Sequence, residues 1–231
     1  PAVHQEYDVP TAILAGDTLF SKAFEVMMDT GAGAEESLEA SRLLATTCTH
    51  ICEGQALDIE FERSTDVLPD EYLEMVELKT AVLYGAAAAT SAILLGADET
   101  TVDALYQYGI DAGRAFQIQD DVLDLTVPSE KLGKQRGSDL IEGKETLITL
   151  HARQQGVDVD GLLADAEVDS VEEGDVEAAV ARLREAGSID YAREMAEDLV
   201  ARSKERLEVL PENESRRLLA DIADYLITRG Y

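Results

Sequence analysis

Apolar residues recur every three or four positions along nearly the whole chain, and no run alternates apolar with polar for more than a few residues. A repeat near 3.6 buries one stripe of a helix, whereas a half-buried strand needs a repeat of 2. The chain therefore reads as all-α. The spacing predicts helices over Thr11–Thr30, Glu35–Glu62, Asp70–Leu95, Asp98–Thr126, Leu140–Gln155, Val176–Ala186, Ser188–Val209 and Glu214–Gly230. "LPDE" offers an acidic first turn after the cap candidates of "STD", "GADET" ends one helix and starts the next, and "VPSEKLGKQRG" is a loop by its Pro, Ser and Gly content. The acidic stretch 157–175 reads as a solvated connector. No repeat and no second domain is visible, so residues 1–231 form one domain in this reading.

At 45% hydrophobic residues the chain has enough apolar material for a folded core. A formal charge of -29, from 48 acidic against 19 basic residues, excludes partners held by phosphate contacts along a nucleic acid or an anionic membrane. Such self-repulsion is screened at about 1 M salt, where the Debye length is roughly 3 Å, and a salt-rich cytoplasm suits the composition. The Ala-rich stretch "AVLYGAAAATSAILLGA" carries Ser and Thr and reads as a buried helix rather than a membrane span. Cys48 and Cys52, one helical turn apart in "CTHIC", read as core thiols of a reducing compartment; with His50 pointing elsewhere, two soft ligands do not fill a tetrahedral metal site.

The stretch "FQIQDDVLDL" sets three carboxylates into an apolar run. At 100° per residue Gln117, Asp120, Asp121 and Asp124 fall on one stripe of about 100° of arc. A solvated acidic face is the ordinary explanation of an acidic helix, but Phe116, Ile118, Val122, Leu123 and Leu125 leave little polar surface here. Like charges one turn apart raise each other's pKa unless a cation intervenes, and oxygen-only ligands select a hard ion such as magnesium, completed by water and substrate phosphates. The following segment returns Lys134 and Lys144 with Asp139 between them. These are either surface salt bridges or phosphate ligands, and a chain with only six lysines favours the second. "GSDLIEGKET" is not a P-loop, because five residues separate Gly137 from Gly143 and Glu145 follows Lys144. Gln55 with Asp58, and Lys79 with Thr80, are polar pairs in apolar helices; each alone could be a satisfied core group or a snorkelling side chain, and together they outline a pocket.

These motifs together resemble the trans-isoprenyl diphosphate synthases of the polyprenyl synthetase family. "FQIQDDVLD" is similar to the family's second aspartate-rich motif, "GKQRGSDLIEGKETL" to the lysine-bearing segment after it, "LKT" to its Lys-Thr pair and "GQALD" to its Gly-Gln motif. "AILAGDTLFSKAFE" resembles the segment downstream of the first aspartate-rich motif, and "GSIDYAREMAEDL" the C-terminal helices. The resemblance implies a bundle of mostly antiparallel helices around a central cavity, and condensation of isopentenyl diphosphate with an allylic diphosphate. It implies that Asp120, Asp121 and Asp124 hold magnesium, that Lys79, Lys134 and Lys144 grip the allylic diphosphate, and that Thr80 and Gln117 set oxygen dipoles near the developing cation. Gln55, Asp58 and Asp139 are then lining or supporting residues. The family's first aspartate-rich motif and isopentenyl diphosphate site are not in this sequence, which resembles the family from just after them, as if truncated. A cytoplasmic homodimer is implied, and with an acidic, archaeal type of surface a geranylgeranyl product. A terpene cyclase of the same fold and a non-catalytic partner subunit are the rival readings.

Overall fold

In a computed structural model the chain is described over residues 1–64, 67–133, 135–163 and 173–228, and among these residues every regular element is helical. The elements are α1 (Val3–Glu6), α2 (Val9–Met28), α3 (Ala34–Phe61), α4 (Pro69–Val76), a π-turn (Glu77–Ala81), α5 (Val82–Leu94) and α6 (Glu99–Thr126). There follow α7 (Ser129–Leu132), α8 (Ser138–Ile141), α9 (Leu147–Gln154), α10 (Glu173–Glu185), α11 (Ser188–Arg206), a short 3-10 turn (Leu207–Val209) and α12 (Glu214–Thr228).

Local chemistry sets the helix starts. Asp8 accepts the backbone N–H of Thr11 at 2.6 Å and Asp98 that of Thr101 at 3.0 Å, each satisfying a donor that the first turn of α2 or α6 leaves open. Glu71 reaches back to the N–H of Leu68 at 2.8 Å, so α4 is closed from inside its own first turn. Thr65 and Asp66 of the expected "STD" cap lie outside the described residues.

The bundle is built round α6, which buries half of its 28 residues and packs against α5, α11, α12 and the π-turn. Its main core joins side chains from α4, α6, α9, α10, α11 and α12, with Ile118, Leu147, Ile148, Leu183 and Ile189 fully enclosed. The Ala-rich helix is α5, and its small residues let backbones meet. A Cβ on Gly109 would fall 2.4 Å from the carbonyl oxygen of Tyr84, and one on Gly113 would fall 2.7 Å from Ala81 Cα. None of the described helices is long and apolar enough to cross a membrane. By contrast α2 lies along α3 and buries none of its residues, leaving Ile13, Leu14, Leu19 and Phe20 more than half exposed.

The expected helices are present with three corrections. The helix expected from Leu140 is two pieces: α8 ends at Ile141, Gly143 turns the chain at φ 71°, and α9 begins only at Leu147 behind the cap of Thr146. The helix expected over Asp70–Leu95 widens to a π-turn at Glu77–Ala81. Within the expected connector, α10 already starts at Glu173, and residues 164–172 lie outside the described ones, as does Gly230 at the expected end of the last helix.

Gly54 of α3 faces the π-turn backbone to backbone: a Cβ there would lie 2.2 Å from the amide nitrogen of Lys79 and 2.7 Å from Leu78 C. Neither partner is a flexible side-chain end, so Gly54→Ala should cost about 2 kcal/mol, a fall in melting temperature of roughly 4–8 °C. Gly16→Ala, at an α2 site with nothing within 4 Å, should instead raise stability by about 0.5–1 kcal/mol. Thermal unfolding of both variants checks the contrast.

Candidate active site

The close approach at Gly54 brings α3 against the π-turn, and a cavity opens where that turn passes between α3 and α6 beneath the segment 139–146. On the α3 side Lys79 Nζ donates to Asp58 Oδ2 at 2.6 Å, and Gln55 Nε2 donates to the same oxygen at 3.1 Å. On the α6 side the Thr80 hydroxyl donates to Gln117 Oε1 at 3.1 Å, Gln117 Nε2 donates to Asp121 Oδ1 at 3.1 Å, and the Tyr72 phenol donates to Asp121 Oδ2. Lys144 enters from the overlying segment, donating to Asp139 Oδ1 at 3.1 Å and pairing with Glu142 at 2.7 Å. Lys79, Thr80, Gln117, Asp121, Asp139 and Lys144 thus wall one space. Lys134 lies outside the described residues.

Burial dominates the Asp121 carboxyl and pushes its pKa up to about 7, with the charges of Asp139 and Asp120 adding to the rise while the bonds from Tyr72 and Gln117 oppose it. Burial, then the neighbouring Asp121 charge, pushes the Tyr72 phenol well above its ordinary range. Burial would depress the Lys144 ammonium, but its bonds to Glu142 and Asp139 carry it above the usual lysine value. Both described lysines of the cavity are thus oriented by carboxylates, Lys79 by Asp58 and Lys144 by Asp139.

The three aspartates of the stripe do not share one task. Asp121 faces the cavity. Asp124 is buried below it and accepts Ser138 Oγ at 2.8 Å and the Asp139 N–H at 3.2 Å, while its carbonyl accepts the Gly137 N–H at 2.8 Å. It anchors the segment that carries Asp139 and Lys144 over the cavity. Asp120 is partly exposed on α6 and does not wall the cavity. Among the described residues no three His, Cys, Asp or Glu side chains converge as a metal-holding group. Magnesium commonly takes only one or two carboxylates and completes its shell with water and phosphate. A carboxyl held toward neutrality by burial and by neighbouring acids is a setting that a divalent cation relieves, so the donors present fit such an ion.

Sequence reasoning missed Tyr72 and Glu145, which also wall the cavity. The signal for Tyr72 was its place seven residues before Lys79, on the same helical face, together with the need of any buried phenol for a partner. Glu145, nearly enclosed, pairs with Arg153 and accepts the Thr149 hydroxyl at 3.2 Å. The expectation of core thiols is corrected for Cys52, which is exposed; Cys48 is half-buried, and burial followed by the nearby Cys52 pushes its thiol up.

Because the folded protein holds the Asp121 proton more tightly than an unfolded chain, Asp121 favours folding at low pH and loses that contribution as pH rises from about 4 through about 7. Asp121→Asn, which stays uncharged, should stabilise the metal-free protein above pH 7 relative to the parent, and the advantage should shrink steadily toward pH 4. Melting temperatures of both proteins across that range test it; a constant difference would contradict the burial of this carboxyl.

The pattern of the family described as polyprenyl synthetase matches residues 1–183. A geranylfarnesyl diphosphate synthase of Natronomonas pharaonis is 68% identical over 231 residues, which are 100% of this chain and 67% of that protein. A geranylgeranyl pyrophosphate synthetase from the archaeon Geoglobus acetivorans superposes with a TM-score of 0.89 at 42% identity, over 98% of this chain and 70% of that one. A polyprenyl synthase from Caulobacter crescentus, solved in complex with calcium and isoprenyl diphosphate, superposes with a TM-score of 0.86 at 31% identity, over 98% of this chain and 69% of that one. With a matching pattern over most of its length and a relative this similar across all of it, the chain belongs to the polyprenyl synthetase family.

Proposed function

We propose that the protein is a prenyltransferase that condenses isopentenyl diphosphate with an allylic diphosphate into a short-chain trans-prenyl diphosphate, geranylgeranyl or geranylfarnesyl in length. The observation that carries this reading is the convergence of Lys79 and Lys144, each oriented by a carboxylate, on a cavity with Asp121 in its wall. Lysines held this way offer fixed cations to a diphosphate, and the family membership supplies the reaction class. Both product names are those of relatives at high identity.

In this reading the allylic diphosphate lies across Lys79 and Lys144, with Lys134 as a further cation, and Asp58 and Asp139 keep the ammonium groups aimed. Gln55 steadies Asp58 through the oxygen they share. The allylic carbon–oxygen bond breaks and its electron pair leaves on the diphosphate. The double bond of isopentenyl diphosphate then attacks the allylic cation, and a proton is lost to the departed diphosphate, so no protein nucleophile takes part. Thr80 and Gln117 turn oxygen dipoles toward the cation as charge forms. The enclosing helix faces keep water from it. Asp120 and Asp121, with Asp124 fixing the adjoining segment, would hold magnesium, which when bound offsets the charge of the diphosphate. The calcium and isoprenyl diphosphate of the Caulobacter protein are consistent with a divalent ion beside such a ligand. The apolar face that α2 leaves open suits a homodimer, and the acidic surface suits a salt-rich cytoplasm.

Full-length protein in molar salt with magnesium, given labelled isopentenyl diphosphate and farnesyl or dimethylallyl diphosphate, should yield one discrete prenyl product. Asp120→Ala and Lys79→Ala should each cut the rate about 100-fold or more, the scale of removing a charge-stabilising group. A folded parent that makes no product would favour a non-catalytic subunit, and a cyclised hydrocarbon would favour a terpene cyclase.

A further inference from the structure

The rod from Pro69 to Leu94 has to satisfy two ends that do not share one helical register. One row of its buried positions runs Tyr72, Val76, Ala81, Gly85, Ala89, with steps of four, five, four and four residues, beside a second set of buried residues that includes Met75, Val82 and Ala86. The five-residue step falls in the π-turn Glu77–Ala81. In an unbroken α-helix the next place on the buried stripe after Val76 would belong to Thr80, and every later residue would be rotated by about 100°. The widened turn gives that place to Ala81 instead. It leaves Lys79 and Thr80 on the flanks, Lys79 toward Asp58 of α3 and Thr80 toward Gln117 of α6.

Something must hold the turn in this form. On the α3 side it is the backbone contact at Gly54. On the α6 side, Glu77, the first residue of the turn, pairs with Arg114, three residues before the Gln117 that receives Thr80. The two side chains are only 25% and 35% exposed, Arg114 and Glu77 respectively, so this is not an open surface pair. The Arg114 Nε is the only buried side-chain nitrogen or oxygen among the described residues without a hydrogen-bond partner, so the guanidinium is held through its terminal nitrogen at Glu77.

We propose that the Glu77–Arg114 ion pair fixes the π-turn in the register that presents Lys79 and Thr80 to the cavity, making both members of the pair positioning residues for diphosphate binding. The inference rests on the prenyltransferase reading for its ligand, but not for its geometry. The pair ties the turn to the same face of α6 that carries Gln117 and Asp121, so the polar residues on both sides of the cavity are set relative to one helix.

The test uses the full-length protein with Glu77→Gln, Arg114→Met, the double variant, and the exchanged pair Glu77→Arg with Arg114→Glu. Without substrate, amide hydrogen exchange over residues 77–82 should quicken about fivefold in each single variant, the factor that corresponds to a partly buried ion pair. The α6 core amides should stay unchanged. With farnesyl diphosphate, KM should rise by about the same fivefold while kcat stays within about twofold, since the cations are displaced rather than removed. The double variant should be no worse than either single one, and the exchanged pair should restore much of both readouts. Unchanged exchange and KM in the single variants would overturn the proposal. So would exchange that quickens throughout the bundle with KM unaltered, because that describes a general stabiliser. A parent without prenyl transfer would overturn the ligand assignment alone, and the exchange arm would still decide the role of the pair.

Discussion

Three carboxylates of one helix, Asp111, Asp121 and Asp124 of α6, are buried inside a protein of formal charge -29, and the compensation of each ties a different part of the chain to α6. An uncompensated buried carboxylate costs several kcal/mol, so each must be answered where it stands. Asp111 receives Arg202 Nε at 3.0 Å, with Arg206 at 3.7 Å beside it, and α11 is locked in place. Asp124 receives Ser138 and the Asp139 amide, which brings the lysine-bearing segment over the cavity. Asp121 receives Tyr72 and Gln117, and it alone of the three opens onto the cavity.

How these partners were distributed explains what the sequence could reveal. The helical class and most helix boundaries were legible because apolar spacing and caps are local: Asp98 and Thr101 settle the start of α6 whatever the rest of the chain does. The cavity was legible in part because polar residues inside apolar helices are few, and Lys79, Thr80, Gln117 and Asp121 do meet there. What stayed hidden was long-range. Tyr72 finds Asp121 across 49 positions, and Arg114 finds Glu77 across 37. No local propensity encodes such a meeting; at most the five-residue step between Val76 and Ala81 hints at the widened turn. The late start of α9 has the same origin. Apolar spacing carries on through Leu140 and Ile141, but Asp124 pins Ser138 and Asp139, and the chain must turn at Gly143 before Thr146 can begin a new helix.

The shared stripe of Gln117, Asp120, Asp121 and Asp124 shows how far helical arithmetic goes. Placing four side chains within about 100° of arc is a statement about one helix, and it holds. Which of them meets the cavity depends on what packs against the stripe. The segment 137–139 covers Asp124, the cavity reaches Asp121, and Asp120 lies at the edge. A pattern that looks like three equivalent ligands becomes a floor, an anchor and a rim.

The same distinction governs how the charge of -29 bears on the site. In molar salt the screening length of roughly 3 Å removes most of the attraction between exposed partners such as Lys22 and Glu25, both about 61% exposed. Partly enclosed pairs are screened far less, and Lys79–Asp58 and Lys144–Asp139 belong to that group. An acidic surface therefore coexists with oriented lysines in the cavity. Solvent sees mainly the excess carboxylates, while the cavity holds lysines already aimed by Asp58 and Asp139. Long-range attraction does not bring an anion to so acidic a surface, so in the proposed reading a diphosphate is recognised at contact distance, by the few lysines that α6 and its partners hold in place.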